Sequence, residues 1–584
     1  MAVNSADLAA LVTLRSLEPE VEPNEANMRL ALAALSRDDA LFCCARINAL
    51  VTGFGSEAND RQRQCLAIER LCSPAQIRRL NKFAARYGGP DRVKVFFRGQ
   101  LLEFARWLAL FGVNDSADGD TFASPRTRAM FARAAFMASE LWERRLFGIQ
   151  GIQPSADPYA QLRTLLGPFR KNLEEANLAP HPGFVIFRGW KLFSTYMQRH
   201  LPPFATAFQN ATGLTVQQYF ISAFAILPRT FFNHPDDQRL FKSAYVEGNS
   251  PFAATFEQFM QLHSQTPEQW ATRLKGATTE PADSSLRHHP ILNFSGGRSI
   301  ILDPTLFLEN LLSAPLFFAM RGGLNANRVF GGFGDAVEEY VLDLLRRLYS
   351  GAGSQSDERL QCNVPSANGV KQAFEIDALI NDPSSMAVVE VKAAWIRDDT
   401  VLRADPEEFV REVRKKYGYL PESADRGKGV AQLARIVGAL ARREWPASDT
   451  EFAHPSDLYP VLLVYDRRMA SPGTSHFLDT EFRQLLGQVP ETVRIHPVVL
   501  MTVGDLEFVV SALEPGSLLR LLREYSVADP ERLSSFHNFV LRVHRQDPRS
   551  ENPMLKELTE ELMAATRSTI FWTEESPPTA EGPC

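Results

Sequence analysis

Two carboxylates and one amine occur in neighbouring segments that otherwise have the apolar character of β-strands. The first segment, AFEIDALI, carries Asp377, and the second, MAVVEVKAAW, carries Glu390 and Lys392. Side chains alternate between the two faces of a strand, so Glu390 and Lys392 share one face. The turn signal Asn-Asp-Pro at 381–383 joins the segments, and pairing them as a hairpin places Asp377 beside Glu390.

Charged groups inside apolar strands are costly unless something pairs them. A divalent cation held by two carboxylates, with a lysine alongside, satisfies that requirement, and hard oxygen ligands favour Mg²⁺. Cleavage of a phosphodiester needs a metal ion to activate water and a cation to stabilise developing charge. Asp377, Glu390 and Lys392 therefore predict a Mg²⁺ site for such cleavage, in which Mn²⁺ can substitute. A surface hairpin with a salt bridge is the alternative interpretation.

The order of Asp377 and then Glu390-Val391-Lys392 resembles the core motif of the PD-(D/E)XK, or restriction-endonuclease-like, nuclease superfamily. Upstream, GFGDAVEEYVLDLL predicts a helix with Glu338 at the edge of its apolar face, as in a superfamily helix that supplies a glutamate to the site. Glu339 fits less well because it lies about 100° further round the helix. The resemblance implies that Asp377, Glu390 and Glu338 bind the metal and that these three and Lys392 are catalytic.

Downstream, GKGVAQLARIVGALARR predicts a helix whose apolar stripe is separate from the face bearing Lys428, Gln432 and Arg435. It resembles a superfamily helix near the scissile phosphate, which implies a catalytic Gln432 and nucleic-acid contacts from Lys428 and Arg435. Ile436 departs from the QxxxY form of some members, and a solvated basic face is the alternative. Since this helix and the Glu338 helix must both cover the sheet, Gln432 and Glu338 are predicted to converge on one cleft.

The pattern of elements changes along the chain. Residues 1 to about 300 have mostly helical periodicity, and strands then alternate with helices. The glycine cluster at 331–334 is predicted to open a helix from Asp335 to about Tyr349. The other predicted elements after it are strands at 373–380, 386–395, 459–466 and 491–503 and helices at 429–443 and near 479–487.

This pattern predicts an α+β multidomain protein. Together with the resemblance, it implies a mostly helical N-terminal half, followed by a restriction-endonuclease-like α/β core with a mixed central sheet and a helical C-terminal segment. The expected divisions are a helical domain for recognition of substrate or partner (1–298), the nuclease domain (299–525), a helical segment (526–573) and a disordered tail (574–584).

Composition excludes several other classes. The chain has 584 residues, 45% of them hydrophobic, and a net charge of −6, which is typical of globular proteins. Six cysteines without a CxxC pair argue against a disulfide scaffold, and the lack of HExxH spacing argues against catalytic zinc. The chain shows neither a signal-peptide pattern nor an apolar run long enough to span a bilayer, so a cytoplasmic location without membrane contact is expected.

A basic segment stands out against the negative total. Residues 61–98 contain ten Lys or Arg and two acidic residues. Within it, Arg78, Lys82 and Arg86 recur at helical spacing and could follow a phosphate backbone. A solvated helix face is the alternative.

The leading hypothesis is therefore a Mg²⁺-dependent nuclease, with DNA favoured over RNA, in bacterial restriction or anti-phage defence. The alternative is a non-catalytic nucleic-acid-binding or protein-interaction module built on a nuclease-like fold. A homo-oligomer, or a partner protein bound through the N-terminal domain, is a further expectation. No Walker A motif occurs, so a nucleotide-driven step would require a partner.

Overall fold

The computed structural model describes most of the chain, with gaps. The described residues are 10–52, 60–113, 124–147, 182–231, 240–242, 251–276, 284–350, 358–365, 375–397, 400, 406–420, 427–444, 455–470, 474–512, 516–530, 535–543 and 553–570. The predicted tail at 574–584 lies outside them. None of the helices within these ranges is long and apolar enough to cross a membrane.

Helices dominate the first 300 residues, as predicted. They are α1 (Leu14–Leu17), α2 (Glu25–Leu32), α3 (Arg37–Val51), α4 (Asp60–Leu71), α5 (Pro74–Arg86), α6 (Arg98–Phe111), α7 (Pro125–Phe147), α8 (Pro182–Lys191), α9 (Met197–His200), α10 (Phe204–Thr212), α11 (Val216–Phe231), α12 (Pro251–His263), α13 (Pro267–Gly276) and α14 (Ser284–His288). A π-helical turn, Leu192–Tyr196, joins α8 to α9.

The later helices alternate with strands. They are α15 (Pro304–Arg321), α16 (Ala326–Tyr349), α17 (Pro406–Tyr417), α18 (Val430–Ala441), α19 (Thr474–Leu486), α20 (Val503–Ala512), α21 (Leu518–Ala528), α22 (Phe536–Val543) and α23 (Pro553–Ile570). The strands are β1 (Ala10–Leu11), β2 (Val93–Lys94), β3 (Leu240–Lys242), β4 (Ser264–Gln265), β5 (Ile291–Phe294), β6 (Arg298–Ile301), β7 (Arg359–Pro365), β8 (Glu375–Asn381), β9 (Ser385–Lys392), β10 (Asp457–Val464), β11 (Arg494–Ile495) and β12 (Val499–Thr502).

The central sheet is mixed, in the order β11-β10-β9-β8-β7 with β12 also on β10. β8 and β9 form an antiparallel hairpin, whereas β9 and β10 are parallel. The predicted turn forms because Asp382 accepts hydrogen bonds from the backbone N–H groups of Ser384 and Ser385. A smaller sheet, β3-β6-β5-β4, lies earlier in the chain. The α+β class with a mixed sheet is confirmed.

The glycine cluster does not open the helix as predicted. α16 begins at Ala326, capped by Asn325, and runs through Gly331, Gly332 and Gly334. A Cβ added at Gly332 would lie 3.1 Å from Leu201 Cβ. This glycine therefore allows close packing, and tertiary contacts override its low helix propensity.

The predicted strand at 491–503 is two short strands. β11 and β12 pair with successive parts of β10, and residues 496–498 interrupt them. Pro497 cannot donate to the ladder. Beside it, the His496 ring stacks on Tyr459 at 4.1 Å, and its Nε2 lies 2.8 Å from Asp457 Oδ1.

Buried side chains form separate clusters. One joins the early helices to α15 and includes Leu41, Phe104 and Leu306. Another contains Phe193 and Phe220 together with residues of α16 and the central sheet, such as Val341 and Val389. Both clusters contain residues from before and after position 298.

Candidate active site

The three motif residues lie where β8 and β9 part. The pairing of β8 with β9 ends at Ala378 and Val389, while β9 continues beside β10 as far as Lys392. The register, extended by one residue, places Asp377 opposite Glu390. Asp377 Oδ2 accepts a 2.6 Å hydrogen bond from the Val391 N–H. The Asp377 carboxylate thus holds the backbone of the ExK segment where the ladder ends.

The carboxyl group of Glu390 has few polar partners. Its side chain is fully buried between β8 and β10. The Lys392 ammonium forms an ion pair with Glu390 Oε1, and no other hydrogen-bond donor to Glu390 occurs among the described residues. Burying a carboxylate in this way is expensive unless a further cation compensates it.

The electrostatics of Glu338, Asp377, Glu390 and Lys392 are coupled. Burial, reinforced by the charge of Asp377, raises the pKa of Glu338 to about 7 although Lys392 lowers it. Burial likewise raises the pKa of Glu390 to about 8, with Lys392 opposing and Asp377 and Glu338 adding to the shift. The structure therefore brings Glu338 within electrostatic reach of the motif residues.

The other two groups respond to the same surroundings. Burial raises the pKa of Asp377, and the positive charge of Lys392 and the Val391 N–H oppose that shift. Burial alone would lower the pKa of Lys392, but Glu390 and Asp377 raise it above its ordinary value. The ammonium is accordingly held in its charged form by the carboxylates around it.

The neighbouring glutamate on α16 has different partners. Glu339 accepts from Arg199 and lies 2.7 Å from His200 Nε2. Glu338 and Glu339 thus have different charged neighbours.

The two flanking helices cover opposite faces of the sheet. Val337 and Val341 of α16 share a core with Val389 and Val391. Leu433 of α18 instead shares a core with Leu379 and Val388. By alternation, Asp377, Glu390 and Lys392 belong to the face of α18. Glu338 therefore belongs to a helix on the opposite face of the sheet from α18, the helix that carries Gln432.

The predicted groups on the second helix are less closely tied to the site. Gln432 is half-buried, and within the described residues it forms no hydrogen bond to any of the four coupled side chains. Arg435 is exposed. Lys428 is also exposed but precedes α18, which begins at Val430, so these three side chains do not form one helical face.

The donor set suits a hard divalent cation. No group of three or more His, Cys, Asp or Glu already arranged to hold a metal occurs in the described residues. However, Lys392 supplies one positive charge, so ionisation of all three carboxyl groups (Glu338, Asp377, Glu390) would leave two negative charges for a bound cation to balance. Oxygen ligands with that excess charge match what Mg²⁺ requires.

The N-terminal stripe lies on the surface. Arg78, Lys82 and Arg86 are exposed on α5, and no ion pair involves them within the described part of the chain. Arg79 on the same helix instead pairs with Glu18.

Sequence reasoning missed the residues that follow the two central parallel strands. Trp395 follows β9, and Arg467 and Arg468 follow β10, all of them lining one cavity. The order of the strands carried this signal, because ligand sites in α/β sheets lie outside the carboxyl ends of parallel strands.

Comparisons of the chain with protein-family models, curated proteins and solved structures found no match.

Proposed function

We propose that the chain is a Mg²⁺-dependent nuclease that hydrolyses nucleic-acid phosphodiesters, with DNA favoured. The observation that carries the proposal is the fully buried carboxyl group of Glu390 opposite that of Asp377, with the single ammonium of Lys392 beside the two. The order of elements supports it as well. A helix with Glu338, a hairpin with Asp377 and ExK, and a further helix follow one another as in the restriction-endonuclease-like core.

Asp377 and Glu390 would hold the metal, and Glu338, which is less buried, would hold its water shell. The bound ion would supply a polarised phosphate and an activated water. In the net reaction water adds to phosphorus, the ester P–O bond breaks, and the leaving oxygen takes up a proton. Lys392 would stabilise the negative charge that builds up on the phosphate.

The test is incubation of the purified chain with plasmid, linear duplex, single-stranded DNA and RNA in Mg²⁺, Mn²⁺ or EDTA. We expect cleavage in either metal and none in EDTA, and loss of cleavage in Asp377→Ala and Glu390→Ala. Full activity in either variant would refute the site. Nucleic-acid binding without cleavage under every condition would favour the non-catalytic alternative.

Two adjacent glutamates supply a matched pair of variants. Glu338→Gln should reduce cleavage strongly because a charged group beside the metal is lost. Glu339→Gln makes the same change one residue away, in a side chain that pairs with Arg199 and His200. It should retain wild-type turnover. Equal effects of the two substitutions on turnover would remove Glu338 from the site.

A further inference from the structure

A large cavity opens at the carboxyl ends of the two central parallel strands. Its volume is about 780 Å³, and its lining includes the segments 393–397 after β9 and 465–468 after β10. This volume lies within the roughly 300–1,000 Å³ of small-ligand sites. Glu338, Asp377, Glu390 and Lys392 are not among its lining residues, but Ala393, which is one of them, directly follows Lys392 in the chain. Phe330, another lining residue, precedes Glu338 on α16 by about 12 Å of helix.

One wall of the cavity is aromatic. The indole of Trp395 stacks on the buried Phe333 ring at 4.9 Å and 16°, and Tyr465 meets it edge-on at 5.2 Å. Phe330, 40% exposed, lies 6.2 Å from Trp395. Trp395 thus lines the cavity with its ring supported by Phe333. Such a supported ring is a stacking platform for a nucleobase.

The lining also carries more cationic residues than carboxylates. Its six cationic residues are Arg188, Arg287, Arg397, Lys416, Arg467 and Arg468, against the two carboxylates Glu309 and Asp466. The cations are paired, but Glu507 and Glu412, which pair with Arg188, Arg397 and Lys416, lie outside the lining.

Within the lining, one carboxylate serves two guanidiniums. Glu309 pairs with both Arg287 and Arg467. A guanidinium at such a cavity can form charge-assisted hydrogen bonds to a phosphate.

We propose that this cavity holds one unpaired nucleotide of the strand cut at the neighbouring carboxylate site, with its base on Trp395 and its phosphate near Arg467. The inference rests on the proposed function and specifies its substrate. A base inside a duplex cannot enter such a cavity without being unpaired and unstacked. The protein should therefore act on single strands, or on unpaired positions in a duplex.

The test measures binding separately from cleavage. An Asp377→Asn background in EDTA is titrated with a fluorescein-labelled 12-nucleotide oligothymidine and with a labelled blunt duplex of the same length. Trp395→Ala should raise the Kd for the single strand about ten-fold, which is within the contribution of one base–aromatic stack. Its effect on the duplex should stay within two-fold.

Further variants separate stacking from damage to the fold. Trp395→Phe keeps a ring and should restore most of the single-strand affinity. Phe330→Ala alters an exposed ring and should weaken single-strand binding even if Trp395→Ala unfolds. For charge, Arg467→Gln should weaken single-strand binding, whereas Arg442→Gln, which removes an Arg that pairs with Glu444 outside the lining, should not.

The outcomes distinguish this inference from the proposed nuclease activity. Unchanged single-strand Kd in Trp395→Ala and Phe330→Ala would overturn the cavity assignment, even with an active nuclease. Binding of the mononucleotide dTMP without any binding of the labelled oligothymidine would also overturn it. Suppose that the wild-type chain cleaves no nucleic acid but Trp395→Ala still weakens single-strand binding. That result would support the cavity assignment and refute the proposed nuclease activity.

Discussion

At the residue scale, the arrangement of Glu390 costs stability in the absence of metal. Its folded pKa of about 8 exceeds its ordinary value of 4.5, and Glu338 is raised to about 7. Between pH 4.5 and 8 the folded protein keeps protons that the unfolded chain releases. Stability therefore falls as pH rises through that range.

The pH dependence can be measured by thermal unfolding in EDTA at pH 5.5, 7.0 and 8.5. Glu390→Gln removes the group with the higher of the two pKa values. The Tm of this variant should therefore increase relative to the wild-type Tm as pH rises. Asp377→Asn should shift Tm in the same direction, because it removes a like charge opposite Glu390. A difference in Tm between Glu390→Gln and wild type that stays constant with pH would contradict the raised pKa of Glu390.

Lys392 has a different role from the carboxylates, and its loss should have a different signature. Lys392→Ala should lower turnover by about 10²–10³, the range for one preorganised electrostatic group. Mg²⁺ binding, measured by calorimetry at saturating metal, should survive because an ammonium is not a metal ligand. Loss of metal binding with normal turnover per bound ion would contradict this role. In EDTA the variant should be less stable than wild type, since three carboxylates then lack their cation.

At the element scale, the sequence predicted what depends on local pattern. The β8–β9 hairpin was predicted from alternating side chains and an Asn-Asp-Pro turn. The observed ends of both strands lie within three residues of the predicted ends. The parts of α16 and β11–β12 that differ from prediction depend on tertiary contacts, such as Leu201 against Gly332. The assignment of α16 and α18 to opposite faces also depends on chain topology, which apolar stripes alone do not specify.

Glycines provide a stability test of these elements. Gly331 and Gly334 lie inside α16, and a Cβ at either position would meet nothing within 4 Å. Gly331→Ala and Gly334→Ala should each stabilise the protein by about 0.5–1 kcal/mol, because glycine is a poor residue for a helix interior. Chemical denaturation would measure this change. A loss of stability in both would mean that these glycines do not lie in a helix.

Gly429 supplies the opposite expectation. It caps α18 with a φ of +52°, and an added Cβ would lie 2.5 Å from the Tyr417 carbonyl oxygen. Gly429→Ala should therefore destabilise the protein by more than about 1 kcal/mol. A neutral substitution there would contradict the way in which α18 begins, and with it the position of Gln432.

At the scale of the whole molecule, charge is distributed unevenly. The chain as a whole is negative, yet the cavity beside the site and the surface of α5 are both basic. The sequence indicated the α5 stripe because its cations recur along one helix. It did not indicate the cavity, since Arg188, Arg397 and Arg467 are far apart in the chain and only folding brings them together.

The same contrast applies to the predicted boundary near residue 298. This boundary was predicted from a change between helical and strand-like sequence periodicity, which is a local property. The buried cluster that contains Phe193 and Val341 instead unites segments from both sides of that boundary. Packing partners of this kind depend on side-chain fit in three dimensions, which periodicity does not encode.

The α5 stripe gives a prediction about binding across the whole molecule. Replacing Arg78, Lys82 and Arg86 together with Gln should weaken nucleic-acid binding and leave cleavage at saturating substrate unchanged, because the stripe serves attraction and not chemistry. If each side chain meets a phosphate, the slope of log K against log salt should fall by roughly 0.9 per lost contact on duplex DNA, or roughly 0.7 on a single strand. A triple variant at Arg346, Arg494 and Arg520, exposed elsewhere, makes the same change in net charge and should keep the wild-type slope. Equal slopes for both triple variants would identify the stripe as a solvated helix face, since only direct phosphate contacts release counterions in proportion to their number.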